Sequence, residues 1–254
     1  MISVIIVTYN SEKQIKKCLE SVHENISSKD EVFVIDNNSV DKTVDQIKKI
    51  KKSNLHLIKN DYNLGFSRGV NQGLKQARGE YIFLINPDTE FKKSIFSKLI
   101  IFVERDKKIG IVGVRQLNSQ GKSVGSFGNF PGPFSDFIQK TKLHKILPFG
   151  HWLEYNFLTQ HLFNKNRKVG WVGAGFMLIK KEVFNQIGLF DEFFFMYYED
   201  VDFCKRASDA GFEVWYLGKI KVKHLTGASS GDRNKIREMS QKSLAYYKEK
   251  YSNQ

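Results

Sequence analysis

The sequence predicts an α/β fold, a doubly wound and mostly parallel central sheet with helices on both faces. Three observations predict it. Short segments that are apolar along their whole length recur in the first half of the chain, as in ISVIIV (2–7), EVFVI (31–35) and YIFLI (81–85), and that is the pattern of strands covered on both faces. Each is followed by a stretch of helical length and periodicity before the next strand begins. The strands also run directly into Asn, Asp, Ser or Thr, at the carboxyl ends where an open parallel sheet binds its ligands.

Taken in order, residues 2–7 are the first strand. Ser11 with Gln14 three residues on has the spacing of a capping box for a helix whose apolar face is Ile15, Cys18, Leu19 and Val22. EVFVI (31–35) precedes a helix over about 41–52, LHLI (55–58) one near 67–78, and YIFLI (81–85) one over about 92–104, after which IGIVGV (109–114) is another strand. The regularity then fails. Residues 117–134 are rich in Gly and Pro and read as turns or a hairpin, and 134–168 mix aromatic residues with Lys and His. Regular structure returns with WVGAGFMLI (171–179) and a helix from near Lys181, then a helical segment carrying YYEDVDFCKRASDAG (197–211). Two short strands, EVWYL (213–217) and KIKVKH (219–224), and a basic, aromatic helix at SQKSLAYYKEKY (240–251) complete the chain.

With 254 residues, 41% of them hydrophobic, the composition is that of a globular protein with material for one large domain or two small ones. Forty Lys and Arg against 27 Asp and Glu leave a formal charge of +13, which favours polyanionic partners such as a nucleoside diphosphate, nucleic acid or an anionic membrane face. The lysines are scattered rather than blocked, and no base-reading motif accompanies them, so nucleic acid is not an expected partner. Cys18 and Cys204 form neither a disulfide framework nor a metal-ligand spacing and are expected in a core kept in a reducing compartment. Met1 leads straight into ISVIIV without a basic region or cleavage site, so a strand is expected there rather than a signal peptide. No stretch approaches the roughly 18 apolar residues of a membrane span. A cytoplasmic protein is expected, with any membrane contact peripheral.

The strand ends collect the candidate site. Thr8, Tyr9 and Asn10 follow the first, Asp36, Asn37, Asn38 and Ser39 the second, Asn60, Asp61 and Asn63 the third, and Asn86, Pro87, Asp88 and Thr89 the fourth. Residues of these types also cap helices and form turns, but at four strand ends together they ring one crevice. That crevice has neither GxGxxG nor GxxxxGK[ST], and Gly65, Gly69 and Gly73, spaced four apart, suit close helix packing at least as well as a phosphate loop. A diphosphate bound there needs another counter-charge, and a divalent cation held by Asp88 supplies it. In the second cluster, Tyr197 to Asp202, a helix places Glu199 and Asp202 on one face and Asp200 about 100° from Glu199. Acids in a first turn complement the helix dipole. The chemical reading makes one of them a general base for a hydroxyl nucleophile and a neighbour the group that positions base or substrate. His224 ends KIKVKH as a solitary histidine.

The combination of SVIIVTYN, VFVIDNNSVDKT, NLGFSRGVNQGL, LINPDTEF, GLFDEFFFMYYEDVDFCKRASDAGF and VKHLTGASSG resembles the family 2 inverting glycosyltransferases, most closely the rhamnosyltransferase-like branch, over residues 2–231. The resemblance implies a GT-A fold, a nucleoside-diphosphate-sugar donor, a Mg²⁺ or Mn²⁺ ion and one-step displacement with inversion. It implies that Thr8, Tyr9 and Asn10 line the nucleoside pocket, that Asp36 meets the base with Asn38 close by, and that Asn63, Gly65 and Asn71 border the nucleotide and ribose. Asp88 becomes the metal-binding acid of the DxD element, Asp200 of the Glu199–Asp200 pair the catalytic base, and His224 a second metal ligand; Asp191 is a candidate for acceptor binding. Asn86 departs from the family, which has an acid there, and this implies an ion held loosely and mainly together with the donor. The implied division is a donor-binding half (1–115), an acceptor and catalytic-base half (116–231) and a basic C-terminal helix (232–254). Residues 134–168 and the basic tail are where acceptor specificity is expected, on a glycan or a polyprenyl-diphosphate-linked sugar at the inner membrane face, in polysaccharide synthesis. A rival expectation is an accessory protein that binds nucleotide sugars without turning them over, with Asn86 as its trace.

Overall fold

A computed structural model describes residues 1–131, 163–225 and 233–252. In chain order its elements are β1 (Ile2–Thr8), α1 (Ile15–His23), β2 (Glu31–Asp36), α2 (Thr43–Lys48), β3 (Leu55–Lys59), α3 (Phe66–Leu74), β4 (Tyr81–Ile85), β5 (Thr89–Glu90), α4 (Ile95–Val103), β6 (Ile109–Leu117) and β7 (Phe127–Gly128). There follow β8 (Asn166–Val169), β9 (Trp171–Val172), β10 (Phe176–Lys180), α5 (Lys181–Ile187), α6 (Glu199–Asp209), β11 (Glu213–His224) and α7 (Arg233–Lys250). The segment expected to carry acceptor specificity lies mostly outside the described residues.

β1 pairs in parallel with β2 on one side and β4 on the other, and β2 carries β3 in parallel. β10 then enters antiparallel between β4 and β6, and β11 lies parallel to β6. The sheet order is β3-β2-β1-β4-β10-β6-β11-β5, with β8 also on β11. The sheet is mostly parallel, as expected, and the reversed β10 has a consequence for the site. It reaches the ligand-binding edge with its amino end, so the turn before it arrives where β1, β2, β4 and β6 end.

The apolar runs are buried on both faces. Val4, Ile6, Val32, Val34, Phe83 and Ile85 point to one core with α1 and α4, while Ile5, Val7, Phe33, Ile35, Ile82 and Leu84 point to the other with α3, α5 and α6. Each such side chain contributes roughly 1.5–3 kcal/mol by leaving water. Phe83, Phe91, Phe96 and Phe176 form an aromatic cluster beneath the β4–β5 turn, with Phe83 and Phe96 stacked at 3.8 Å. The turn therefore stands on a rigid base.

Local differences from the sequence reading have tertiary causes. The capping box at Ser11 does not form: its N–H donates to Thr43 Oγ1 and its hydroxyl to the Tyr9 carbonyl, and α1 starts at Ile15 without a side-chain cap. WVGAGFMLI splits into β9 and β10 around Gly173, Ala174 and Gly175. EVWYL and KIKVKH, read as two strands, are one strand β11 whose register on β6 shifts between Leu217 and Lys221.

Candidate functional site

β4 ends at Ile85, and the chain turns through Asn86, Pro87 and Asp88 before Thr89 pairs with His224 across β5 and β11. That pairing is what places His224 beside Asp88, and the Leu225 N–H donates to the Asp88 carbonyl at 3.0 Å. His224 Nε2 lies 3.1 Å from Asp88 Oδ1 and 3.2 Å from Asn86 Nδ2. Its other nitrogen, Nδ1, lies 2.6 Å from Gln116 Oε1. An amide oxygen only accepts, so Nδ1 carries the hydrogen and Nε2 presents its lone pair toward the buried Asp88 carboxylate. Two acceptors at that separation call for a proton or a cation between them. The donor set fits a Mg²⁺ or Mn²⁺ ion that takes its other ligands from diphosphate oxygens and water; among the described residues no third His, Cys, Asp or Glu joins them. Cys18 is packed under the same turn with its thiol donating to the Asn86 carbonyl, and burial, reinforced by the Asp88 charge, pushes the thiol far up and keeps it neutral.

The second acidic group is built differently. Tyr197 and Tyr198 adopt left-handed backbone conformations, φ 70° and 65°, which cost on the order of 1 kcal/mol each, and they swing the chain into α6 so that Glu199 and Asp200 occupy its first turn. Asp200 Oδ2 accepts the Ala174 N–H at 3.2 Å and Oδ1 the Val201 N–H at 2.8 Å. Burial outweighs these backbone bonds and pushes the Asp200 carboxyl up to about 6. Glu199 is only 6% exposed, and its Oε2 has no partner among the described residues. Burial first, and the Asp200 charge second, push it well above the usual carboxylate range. Asp202 faces the other way, fully buried, with Arg206 Nε at 2.9 Å, Lys250 Nζ at 2.7 Å and Tyr251 OH at 2.8 Å.

The turn of Gly173, Ala174 and Gly175 joins the two groups. Its Ala174 N–H holds Asp200, and the Gly175 carbonyl accepts from Asn86 N and Thr89 Oγ1 at 3.0 and 3.1 Å. A Cβ at Gly175 would stand 2.7 Å from His224 Cε1, so only glycine lets the ring lie against the turn.

Thr8, Tyr9, Asn63, Gly65, Asn86, Asp88, Glu199, Asp200 and His224 all line one crevice of about 1000 Å³. Asn10, Asp36, Asn38, Asn71 and Asp191 are not among its lining residues. Asn10 and Asn38 have left-handed backbones in the loops after β1 and β2, and Asn10 Oδ1 accepts the Val40 N–H to tie those loops together. Asp36 accepts the Ser39 N–H through Oδ2, while its Oδ1 and the Oγ1 of Thr8, its register partner, are buried without a partner among the described residues. Asn71 clamps α3 to the loop after α5 through both the carbonyl and the N–H of Phe190. Asp191 binds Lys250 Nζ at 2.6 Å and Tyr246 OH at 3.0 Å. Burial opposes its ionisation, but these bonds and the Phe193 N–H outweigh burial and hold it below the usual carboxylate range.

The sequence reading missed Gln116, the 173–175 turn and the wall of Trp171, Phe195, Met196 and Met239. Two glycines inside an apolar run were the available signal for the turn; Gln116 carried none.

Comparison with known proteins agrees with the resemblance. The model of Glycosyl transferase family 2 matches residues 3–188. The low-salt glycan biosynthesis hexosyltransferase Agl10 of Haloferax volcanii is 30% identical over 210 residues, 81% of this chain and 61% of that protein. The N-acetylglucosaminyl-diphospho-decaprenol L-rhamnosyltransferase of Mycobacterium tuberculosis is 27% identical over 247 residues, 91% of this chain and 78% of that protein. The mannosyltransferase PcManGT of Pyrobaculum calidifontis, solved with GDP-Man and Mn²⁺, superposes with a TM-score of 0.64 at 16% identity, over 97% of this chain and 63% of that one. The chain thus spans less than two thirds of the hexosyltransferase and of the mannosyltransferase. The fold is GT-A. No helix among the described residues is long and apolar enough to cross a membrane.

Proposed function

Since the chain belongs to glycosyl transferase family 2, we propose that it moves a sugar from a nucleoside-diphosphate sugar to an acceptor hydroxyl with inversion at the anomeric carbon. The observation that carries this reading is that the Asp88–His224 pair and the Glu199–Asp200 pair line one crevice and are joined through the 173–175 turn.

Asp200 is the general base. An acid pushed up to about 6 is ionised at neutral pH yet retains affinity for a proton. It takes the proton of the acceptor hydroxyl as that oxygen bonds to the anomeric carbon. The bond from that carbon to the diphosphate breaks at the same time, and the nucleoside diphosphate leaves from the opposite face. Glu199, whose carboxyl burial and the Asp200 charge push toward the neutral form, orients the acceptor by donating a hydrogen bond. Asp88 and His224 would hold Mg²⁺ or Mn²⁺, which when bound offsets charge on the departing diphosphate; with Asn86 in place of a second acid they would hold it weakly, mainly together with the donor. Thr8, Tyr9, Asn63 and Gly65 border the nucleoside, with Asp36 buried beside Thr8 and outside the crevice lining. The donor is dTDP-rhamnose or a UDP-sugar, and the acceptor a glycan or a polyprenyl-diphosphate-linked sugar met at the inner membrane face during polysaccharide synthesis. The L-rhamnosyltransferase relative supports the rhamnose and polyprenyl readings.

The test is a transfer assay with dTDP-, UDP- and GDP-sugars, with and without Mn²⁺, run beside thermal shifts, since a ligand of the folded state raises its apparent stability. Transfer by the native chain and none by Asp200→Asn, with the donor-induced shift retained, is expected. A donor-induced shift with no transfer on any acceptor would mark a binding protein instead.

A further inference from the structure

We propose that Gln116 is a positioning residue that fixes the His224 ring with its hydrogen on Nδ1 and its Nε2 lone pair toward Asp88. The inference rests on reading Asp88 and His224 as the cation-binding pair. Gln116 stands near the end of β6 and is buried. Its amide is oriented from both ends. Nε2 donates to the Gly173 carbonyl at 3.4 Å, and Oε1 lies 2.6 Å from His224 Nδ1. Turning the amide over would set its oxygen against the Gly173 carbonyl, acceptor against acceptor.

The alternative neutral tautomer of His224 fails on the same geometry. With the hydrogen on Nε2 alone, that hydrogen would be taken by Asp88 Oδ1 at 3.1 Å, but the Nδ1 lone pair would face the Gln116 oxygen at 2.6 Å, acceptor against acceptor. The ring cannot swing away from Gln116 toward β10, because Gly175 packs so closely that a Cβ there would sit 2.7 Å from His224 Cε1 and 2.9 Å from Gln116 Oε1. Imidazole ligands are commonly held this way by a carbonyl or carboxylate on their second nitrogen. Gln116 does so without a second buried negative charge, and it lies 108 residues from its partner in sequence.

The experiment uses the full chain labelled with ¹⁵N-histidine and needs no sugar. Long-range ¹H–¹⁵N correlation spectra report the tautomer of His224, assigned with His224→Asn, and electron paramagnetic resonance titration with Mn²⁺ alone reports affinity. The native chain is expected to show hydrogen on Nδ1 only. Gln116→Leu is expected to lose the single tautomer and to bind Mn²⁺ about 10- to 100-fold more weakly, while Gln116→Glu, which still accepts from Nδ1, retains the tautomer. A native ring with hydrogen on Nε2, or Gln116→Leu that keeps the Nδ1–H tautomer, overturns the proposal. Should Gln116→Leu fail to fold, the native spectrum and the Gln116→Glu rescue decide it. A native chain that shows the tautomer but binds no Mn²⁺, either alone or with UDP or dTDP added, sinks the cation reading and leaves the positioning role standing.

Discussion

At the Asp88 end of the crevice the side chains hold one another: Asp88 faces His224, and His224 is held by Gln116 and approached by Asn86, on strand ends and the turn they support. At the other end the backbone does the holding. Asp200 hangs from two N–H groups at the start of α6, and Glu199 Oε2 has no partner among the described residues. A charge that must stay in place is surrounded with fixed partners, whereas a group that must exchange a proton is left with capacity to spare. The difference supports the proposed division, with electrostatic work at the first end and proton transfer at the second.

Exchanging the reactive end for an isostere should have the largest effect. Asp200→Asn keeps shape but not basicity, and turnover is expected to fall on the order of 10²–10⁴-fold, the usual worth of a general base. Donor affinity by calorimetry should be unchanged; unchanged turnover would break the comparison at its centre. Asp88→Asn comes next. It removes the one carboxylate of the electrostatic end and is expected to lower turnover on the order of 10²-fold and to abolish any response to Mn²⁺, with donor binding weakened as well. A variant that turns over normally would move the electrostatic work elsewhere.

The comparison also explains what the sequence could disclose. Asp88 and Asp200 were legible because each follows a local pattern, an acid directly after an apolar strand and an acid in the first turn of an amphipathic helix. His224 closes a strand and was legible as a position, but its role depended on β5 pairing with β11, a contact no local period encodes. Gln116 is next to last in β6, between Arg115 and Leu117, and is defined only by distant partners. The misplacements share that cause. Ser11 has the capping spacing, yet Thr43, the first residue of α2, binds its N–H. Asp191 reads as a candidate for acceptor binding, yet Lys250, 59 residues on, binds it. The all-apolar strands gave the buried sheet at once; the reversed direction of β10 follows from tertiary packing alone.

The Asp200 end of the crevice also depends on a bond remote from it. Lys250 Nζ bridges Asp191 and Asp202 and so pins α7, whose Met239 and Leu244 line the crevice, to α6. Lys250→Met is expected to cost about 1.5–3 kcal/mol, the worth of a hydrogen bond to a charged group, read by urea unfolding at neutral pH. The pH dependence has a definite sign. The Asp191 carboxyl is held below its usual range, so its contribution is present above the unfolded value near ~4 and is lost as pH falls through the folded one. The gap between native and Lys250→Met stabilities should therefore narrow in acid. A gap that does not change down to strongly acidic pH would mean that Lys250 acts by packing rather than by charge.

The smallest expected effect is the sharpest on the reactive end. Turnover should fall as pH drops through about 6, because Asp200 must be ionised to take the proton. The two acids are adjacent, so the limb belongs to the pair. What Glu199 contributes to it depends on its charge, and burial first and the Asp200 charge second push its carboxyl well above the usual carboxylate range, toward the protonated form. Glu199→Gln preserves a neutral hydrogen-bond donor of the same shape, so the acidic limb should stay in place and turnover should drop by no more than about tenfold, well short of the loss expected for the base itself. Were Glu199 ionised, removing its charge would ease deprotonation of Asp200 and carry the limb to lower pH. A profile of turnover against pH for the native chain and Glu199→Gln separates the two, and a limb displaced by a full pH unit would assign Glu199 a negative charge and remove it as the donor that orients the acceptor.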